Sequence, residues 1–461
     1  MLALWLALLV VGVVTYHRLR PRLQLYWLLL LSYAFYAWWA GRFLPVLVLL
    51  TLAGYAIARR LDHSGSPQGH ADPARRRWLW IGIGLNVAAL ALLRLGYRGE
   101  PFAEPFAVLG VSFYALQIMA YLFDTYSGIL KTPHTLTELA LYVAYFPKMA
   151  AGPIERPQAF LRQLLEPRGV DDARFARAAT LIAVGLTRKL VLADPLAARL
   201  SPDVLMTPAA FDRMTLAATV LGYAFVLYND FAGYSSIARG VSALFGIELS
   251  QNFAQPFAAH SFTDLWTRWH ITFSHWLRDY VYLPVSRYFL RRDLRRTNTA
   301  NLLVPPMATM LVCGLWHGAS FNLLLWGGLH GVYLVLERLA RLRWPPAPGA
   351  ALPAWRRAAG IALVFSVSCW TLVVLLLPTT RALEVWAQLL TGPIGELPDL
   401  RLLLYMLPSL WLDWMQSRHG EDVVFMPWPR VARAALLAIA IPLWLAAYST
   451  APPRAFVYQG F

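Results

Sequence analysis

Charge is what this chain has least of. Only 14% of its residues are Asp, Glu, Lys or Arg, where a soluble globular protein carries roughly a quarter. Not one charged side chain occurs between Arg296 and Glu337. So depleted a chain cannot clothe a water-facing surface, which excludes a soluble fold. Acid is scarcer than base, 25 Asp and Glu against 41 Lys and Arg, for a formal net charge of +16. Cysteine is nearly absent: Cys313 and Cys369 both lie in apolar runs, with no CxxC spacing. Neither a disulfide framework nor a zinc site is supported, and no metal is predicted. There is no internal repeat and no pair of similar halves, which argues against a transporter built from repeats.

What is present is apolar sequence in long blocks. Residues 1–16, 25–40, 43–58, 78–93, 214–227, 358–377 and 431–448 are such blocks, each close to the length that crosses about 30 Å of hydrocarbon as a helix. The expected fold is all-α and polytopic, with roughly ten to twelve helices. Several are expected to be interrupted, as at Gly152-Pro153 and Pro305-Pro306. Broken helices at membrane depth are tolerated where they are buried in protein or line a cavity, which points to an internal chamber. The first block has no basic segment before it and no small-residue cleavage pattern after it, so it reads as a membrane helix and not a removable signal. The basic residues cluster between blocks, in HRLRPR at 17–22, RR at 59–60, ARRR at 74–77 and RRDLRR at 291–296. Under the positive-inside rule the connections 17–22 and 59–77 are cytoplasmic and the N-terminus extracytoplasmic. The positive charge then serves topology and lipid headgroups, not nucleic acid.

Two segments hold titratable side chains in this apolar setting. FTDLWTRWHITFSHWLRDY, residues 262–280, reads on a helical wheel as one aromatic face of about 120°, running from Phe262 to Tyr280. Thr263, Thr267, His270, Ser274 and Arg278 form a polar stripe; Asp264, Arg268, His275 and Asp279 form another, with Asp264 paired to Arg268 at i,i+4. Either this is an amphipathic helix on the membrane surface, or the His270 stripe lines an aqueous passage. The rich aromatic face and varied polar face favour the passage. The second segment, residues 313–331, is CGLWHGASFNLLLWGGLHG. Gly314 and Gly318 flank His317, Gly327 and Gly331 flank His330, and small residues at this spacing let helices approach closely. Packing histidines are the plain reading. Within a membrane, however, an ionisable side chain is a functional candidate, and neutral imidazole is the cheapest general base to bury. Cys313, four residues before His317, is read as a packed thiol before a nucleophile.

GLWHGASFNLLLWGGLHG, FTDLWTRWHITFSHWLRDYVYLP, YNDFAGYSSIARG and NFAQPF resemble the signatures of the membrane-bound O-acyltransferase (MBOAT) family. The likeness is to its bacterial branch of alginate O-acetyltransferases, peptidoglycan O-acetyltransferases and teichoic acid D-alanyl transfer proteins. VSFYALQIMAYLFDTYSG, YFPKMAAGPIERP, GLTRKLVLAD and the terminal FVYQGF agree. The likeness is dense over residues 105–340 and sparse at the ends, suggesting N-terminal membrane helices in 1–104, a catalytic core in 105–340 and C-terminal membrane helices in 341–461. Three departures stand out: Ser236 replaces an acid, Phe321 replaces a tryptophan, and VSRYFLRR follows YLP where a glycine-rich stretch is expected.

The resemblance implies a helical disc around a central tunnel, in a bacterial inner membrane. His317 corresponds to the family's catalytic histidine and His270 to its second pore-lining histidine; His330 is a motif residue of structural role. An acyl thioester, acetyl-CoA in the first instance or an acyl carrier protein, is the implied co-substrate, with no cofactor permanently bound. The acceptor is a hydroxyl of an extracytoplasmic polysaccharide, reached directly or through a serine-esterase-like acetyltransferase partner. Trp316, Asp230, Tyr234, Trp266, Arg268 and Asn322 are candidates for shaping the substrate site. Transfer of D-alanyl from a carrier protein stands as the alternative acyl chemistry. A transporter or flippase and a membrane glycosyltransferase are the rival classes; for the latter Asp124 and Asp230 are available, but neither sits in a metal-binding cluster.

Overall fold

The computed structural model describes residues 2–62, 72–96, 109–130, 134–166, 169–293, 298–345, 352–419, 423, 425–426 and 428–450. The FVYQGF motif, the last residues of RRDLRR, the 104/105 boundary and residues 346–351 lie outside them. Among the described residues every regular element is helical. Six segments are long and apolar enough to cross a membrane: Pro21–Leu61, Pro73–Leu93, Thr299–His317, Phe321–Arg343, Ala354–Leu376 and Val431–Ser449. The first is two helices, Pro21–Ala40 and Leu44–Leu61, joined by a 3₁₀ turn at Gly41–Phe43. The chain is an all-α, multi-pass membrane protein. The expected block at 214–227 is the opening part of a longer helix, Arg213–Ala243.

Two compact units share the chain. One holds the described residues of Met1–Ala183 with Tyr234–Ser250; the other holds Val184–Gly233 with those of Gln251–Gln459. In the first unit, proline in the first turn starts helices Pro21–Ala40 and Leu44–Leu61. A capping box starts Leu136–Ala144: the Glu138 backbone N–H donates to Thr135 Oγ1 at 3.3 Å and the Thr135 N–H to Glu138 Oε2 at 2.8 Å. Arg75 folds back onto Leu61 O at 3.0 and 2.7 Å, covering a carbonyl that the helix end leaves open. The YFPKMAAGPIERP motif belongs here. Its Lys148 is fully buried, donating to Gln117 Oε1 and Tyr142 O and lying over the Tyr142 and Phe160 rings at 4.7 and 4.9 Å. Glu155 accepts from the Ser250 N–H at 2.6 Å and hydroxyl at 2.9 Å. A side chain at Gly152 would meet the Lys148 backbone. Hydrogen bonds within this unit thus hold the Lys148 and Glu155 of the motif.

In the second unit, helices Thr299–His317 and Phe321–Arg343 lie backbone against backbone. A Cβ on Gly314 would meet Leu323 O, and one on Gly327 would meet Met310 O, the close approach that small residues permit. Pro305 and Pro306 do not interrupt Thr299–His317, contrary to the sequence expectation. Prolines at these positions cannot donate to the carbonyls of Asn301 and Leu302, four residues earlier. Arg338 of the neighbouring helix donates to both, at 3.2 and 3.4 Å. A buried charge network organises the GLTRKLVLAD and YND motifs. Arg188 meets Asp413 at 2.6 Å and Asn229 at 2.9 Å, and Tyr228 donates to Asp413 at 2.8 Å. Lys189 bridges Asp194 at 2.9 Å and Asp230 at 2.7 Å. The cations project from a π-helical stretch, Thr187–Ala193, whose wider turn places Arg188 and Lys189 on different acids.

Candidate active site

The second unit holds a half-open cavity of about 90 Å³. Helix Ala354–Leu376 supplies one wall through Phe365, Ser368, Cys369 and Leu372, which recur at helical spacing on one face. Trp266 comes from the short helix Phe262–Arg268, and Trp326 and His330, one turn apart, from Phe321–Arg343. His317 is the last residue of its helix and reaches the cavity there. The Trp326 ring neighbours both histidines, 5.2 Å from His317 and 4.8 Å from His330 between centroids. The walls are otherwise aliphatic and aromatic.

His270 reaches this region by a route that the helical wheel does not show. Residues 262–280 do not form one helix. Phe262–Arg268 ends, His270 takes a left-handed backbone conformation with φ 42°, and Ile271–Leu277 begins. For a side-chain-bearing residue this conformation costs about 1–3 kcal/mol and persists where the surroundings over-determine it. The surroundings are the NFAQPF strip. The Ile271 N–H donates to Asn252 O at 2.9 Å, the Ala254 N–H to Arg268 O at 2.9 Å, and Asn252 Oδ1 lies 3.0 Å from His270 Nδ1. Asn252 Oδ1 also accepts from the Thr272 hydroxyl at 2.9 Å. The bend rotates His270 off the stripe it would share with Thr267 and Ser274 and buries it among rings. Phe231 lies at 4.8 Å, Phe273 at 5.1 Å and Trp316 at 6.1 Å. Trp316 packs tilted against Phe273 at 4.2 Å and edge-on to His317 at 4.9 Å. His270 and His317 thus share Phe273 and Trp316 as ring neighbours, with His317 on the cavity and His270 behind it.

The remaining candidates separate by surroundings. Trp266 lines the cavity. Asp230 is committed to Lys189. Arg268 donates to Asp264 at 2.7 Å and to Ala254 O at 3.2 Å, holding the bend. Burial raises the Asp264 pKa, but Arg268 and the His260 N–H outweigh it and hold the carboxyl below its usual value. Asn322 donates to Val374 O at 3.1 Å, tying two helices together. Tyr234 belongs to the first unit, where its hydroxyl donates to Pro147 O at 3.3 Å. Cys313 is fully buried and absent from the cavity wall, which Cys369 joins instead. Sequence reasoning passed over Trp326, Ser368 and Phe365, and gave His330 a structural part only. The i,i+4 pairing of Trp326 with His330 was readable; the face of Ala354–Leu376 was not, because its few polar residues, Ser366, Ser368 and Thr371 among them, do not gather on one face.

The fold and site define an all-helical membrane protein with a buried histidine on a largely apolar cavity. Over residues 101–377 the chain matches the model for MBOAT, the membrane-bound O-acyltransferase family, and it belongs to that family. It is 34% identical over 335 residues to the "Probable alginate O-acetylase AlgI" of Pseudomonas putida, covering 69% of this chain and 66% of that protein. The Peptidoglycan O-acetyltransferase of Helicobacter pylori is 30% identical over 68% of this chain and 64% of its own length. The Teichoic acid D-alanyltransferase of Streptococcus thermophilus is 30% identical over 50% of this chain and 56% of its own. The chain thus spans under two thirds of each of these relatives.

Proposed function

We propose that this protein moves a short acyl group, acetyl in the first instance, from a thioester donor on the cytoplasmic side to a hydroxyl of an extracytoplasmic polysaccharide. The transfer is direct or passes through the serine of a partner enzyme, in a bacterial inner membrane with the N-terminus outside. The observation that carries the reading is His317 on the wall of an apolar cavity within the family-matched region. A neutral imidazole there takes the hydroxyl proton as the oxygen attacks the thioester carbonyl. The carbon–sulfur bond breaks, the ester forms, and the departing thiolate recovers the proton from His317. Base assistance of this kind is worth about 10²–10⁴ in rate. The apolar walls keep water from hydrolysing the thioester. His270, held by Asn252, positions Phe273 and Trp316 against His317.

His317→Ala is the test. In proteoliposomes supplied with labelled acetyl thioester and a hydroxyl acceptor, transfer falls at least about a hundredfold while the variant still purifies as folded, membrane-inserted protein. Turnover near the wild-type rate would remove His317 from the base role. D-alanyl transfer is the second reading, favoured by the likeness to the teichoic acid D-alanyltransferases. Supplying carrier-bound D-alanine beside acetyl-CoA decides between them by which donor is consumed.

A further inference from the structure

The first unit has a small polar pocket of its own. Tyr55, Arg59 and Asp62 from the end of helix Leu44–Leu61, Tyr121 and Thr125 from the end of helix Leu109–Tyr126, and His134 line a half-open notch of about 10 Å³. That volume admits one group the size of a water molecule. The His317 cavity lies in the other unit and shares none of these residues.

The notch has the chemistry of a cation seat with an anion seat beside it. Asp62 closes its helix through the backbone, its N–H donating to Ala58 O at 2.8 Å. Its carboxylate has no hydrogen bond or ion pair among the described residues. The Thr125 hydroxyl gives its one proton to Tyr121 O at 2.8 Å, so it offers the notch lone pairs only. The Tyr121 hydroxyl lies 3.5 Å from His134 Nδ1. Burial lowers the His134 pKa from 6.5, with Glu138 opposing the shift, so the ring brings no further positive charge at neutral pH. Both helices end here, and a helix C-terminus carries partial negative charge. Arg59 is exposed and, among the described residues, has no partner. It stands three residues from Asp62, yet the two form no ion pair among the described residues. A bare cation in the notch would leave Arg59 unanswered, and a bare anion would leave Asp62 so. A group that joins an ammonium to an anion by a short link answers both.

Position in the chain narrows the ligand further. The apolar segment Pro21–Leu61 is long enough to cross a membrane and ends at this notch. The notch therefore sits at headgroup level, where tyrosine and arginine concentrate. We propose that Asp62, Thr125 and Tyr121 bind the primary ammonium of a phosphoethanolamine headgroup while Arg59 takes its phosphate. A primary ammonium is close to water in size and brings three N–H donors to these acceptors. A trimethylammonium is too large for the notch and has no N–H to give. The Arg59 guanidinium presents a fork of donors that suits phosphate oxygens. A bilayer phospholipid and soluble glycerophosphoethanolamine carry the same headgroup.

The test uses the purified full chain in detergent, with retained lipid counted by native mass spectrometry. The probes are the dioctanoyl forms of phosphatidylethanolamine, phosphatidylcholine and phosphatidylglycerol. Wild type is expected to retain the ethanolamine lipid at about tenfold lower concentration than the choline lipid. Asp62→Asn removes that preference and leaves the thermal midpoint unchanged, because no described residue depends on the carboxylate. Arg59→Gln weakens retention of every probe, since all carry the phosphate, and leaves the ethanolamine preference standing. Equal retention of the ethanolamine and choline lipids by wild type, as when the notch holds water only, overturns the inference. So does a preference that survives Asp62→Asn. Displacement of the ethanolamine lipid by potassium chloride but not by choline chloride marks a bare cation site and overturns it too. Glycerophosphoethanolamine identifies the source: competition at the lipid's own concentration marks a soluble ligand, and its failure to compete marks a lipid of the bilayer.

Discussion

Two buried polar regions of the second unit behave in opposite ways. Around Arg188 and Lys189, Asp194, Asp230 and Asp413 each meet a cation at 2.6–2.9 Å. Around the cavity, His330, Trp266 and Ser368 each carry a buried polar atom with no hydrogen-bond partner among the described residues. Both regions carry sequence motifs, and a motif alone cannot say which kind it is. The difference lies in where the hydrogen-bonding capacity goes. Ion pairs in the first region tie its elements together, while polar atoms beside the cavity have no hydrogen-bond partner among the described residues.

Variants that alter one region and not the other sharpen this contrast. The largest effect is expected from Arg188→Met, which strands Asp413 as a buried charge and costs about 3–5 kcal/mol. Folded yield and thermal midpoint in detergent drop sharply, while the KM for donor in whatever folds stays at the wild-type value. A changed KM with an unchanged midpoint would erase the distinction between the regions. Arg338→Met is expected to be milder, about 1–3 kcal/mol, because two helix carbonyls beside Pro305 and Pro306 lose their donor; a scan of thermal unfolding reads it. Adding Pro305→Ala and Pro306→Ala to that variant should restore part of the loss, since the helix then supplies its own N–H groups. The smallest is Asp264→Asn, about 0.2–1 kcal/mol for a pair that is partly exposed. Its sign with pH is set by the depressed carboxyl pKa. The contribution is present above the ordinary value of 3.8 and lost as pH falls below it. Wild type and variant should therefore differ in midpoint at pH 7 and converge in acid.

The helical wheel over 262–280 shows how far one-dimensional reasoning reaches into the site. It grouped Asp264 with Arg268 correctly, since i,i+4 geometry is local. It misplaced His270, since the bend there is held by Asn252, 18 residues earlier. Pro305 and Pro306 repeat the lesson: a local rule foresaw a break, and Arg338, more than thirty residues later, prevents it. GPIERP was visible as a motif, yet its part in burying Lys148 and Glu155 depends on Gln117 and Ser250, distant along the chain.

Membrane residence and the helical class were written in composition and block length, because the bilayer acts on every residue and its thickness is a property that a linear string can match. The histidines announced themselves for the same reason, as titratable groups where few are tolerated. Packing alone decided which of them faces the cavity, which lies behind it, and which polar atoms stay unmatched. Those outcomes depend on side chains brought together from helices scattered between residues 224 and 375, and no periodicity in the string encodes which face of a mostly apolar helix turns inward.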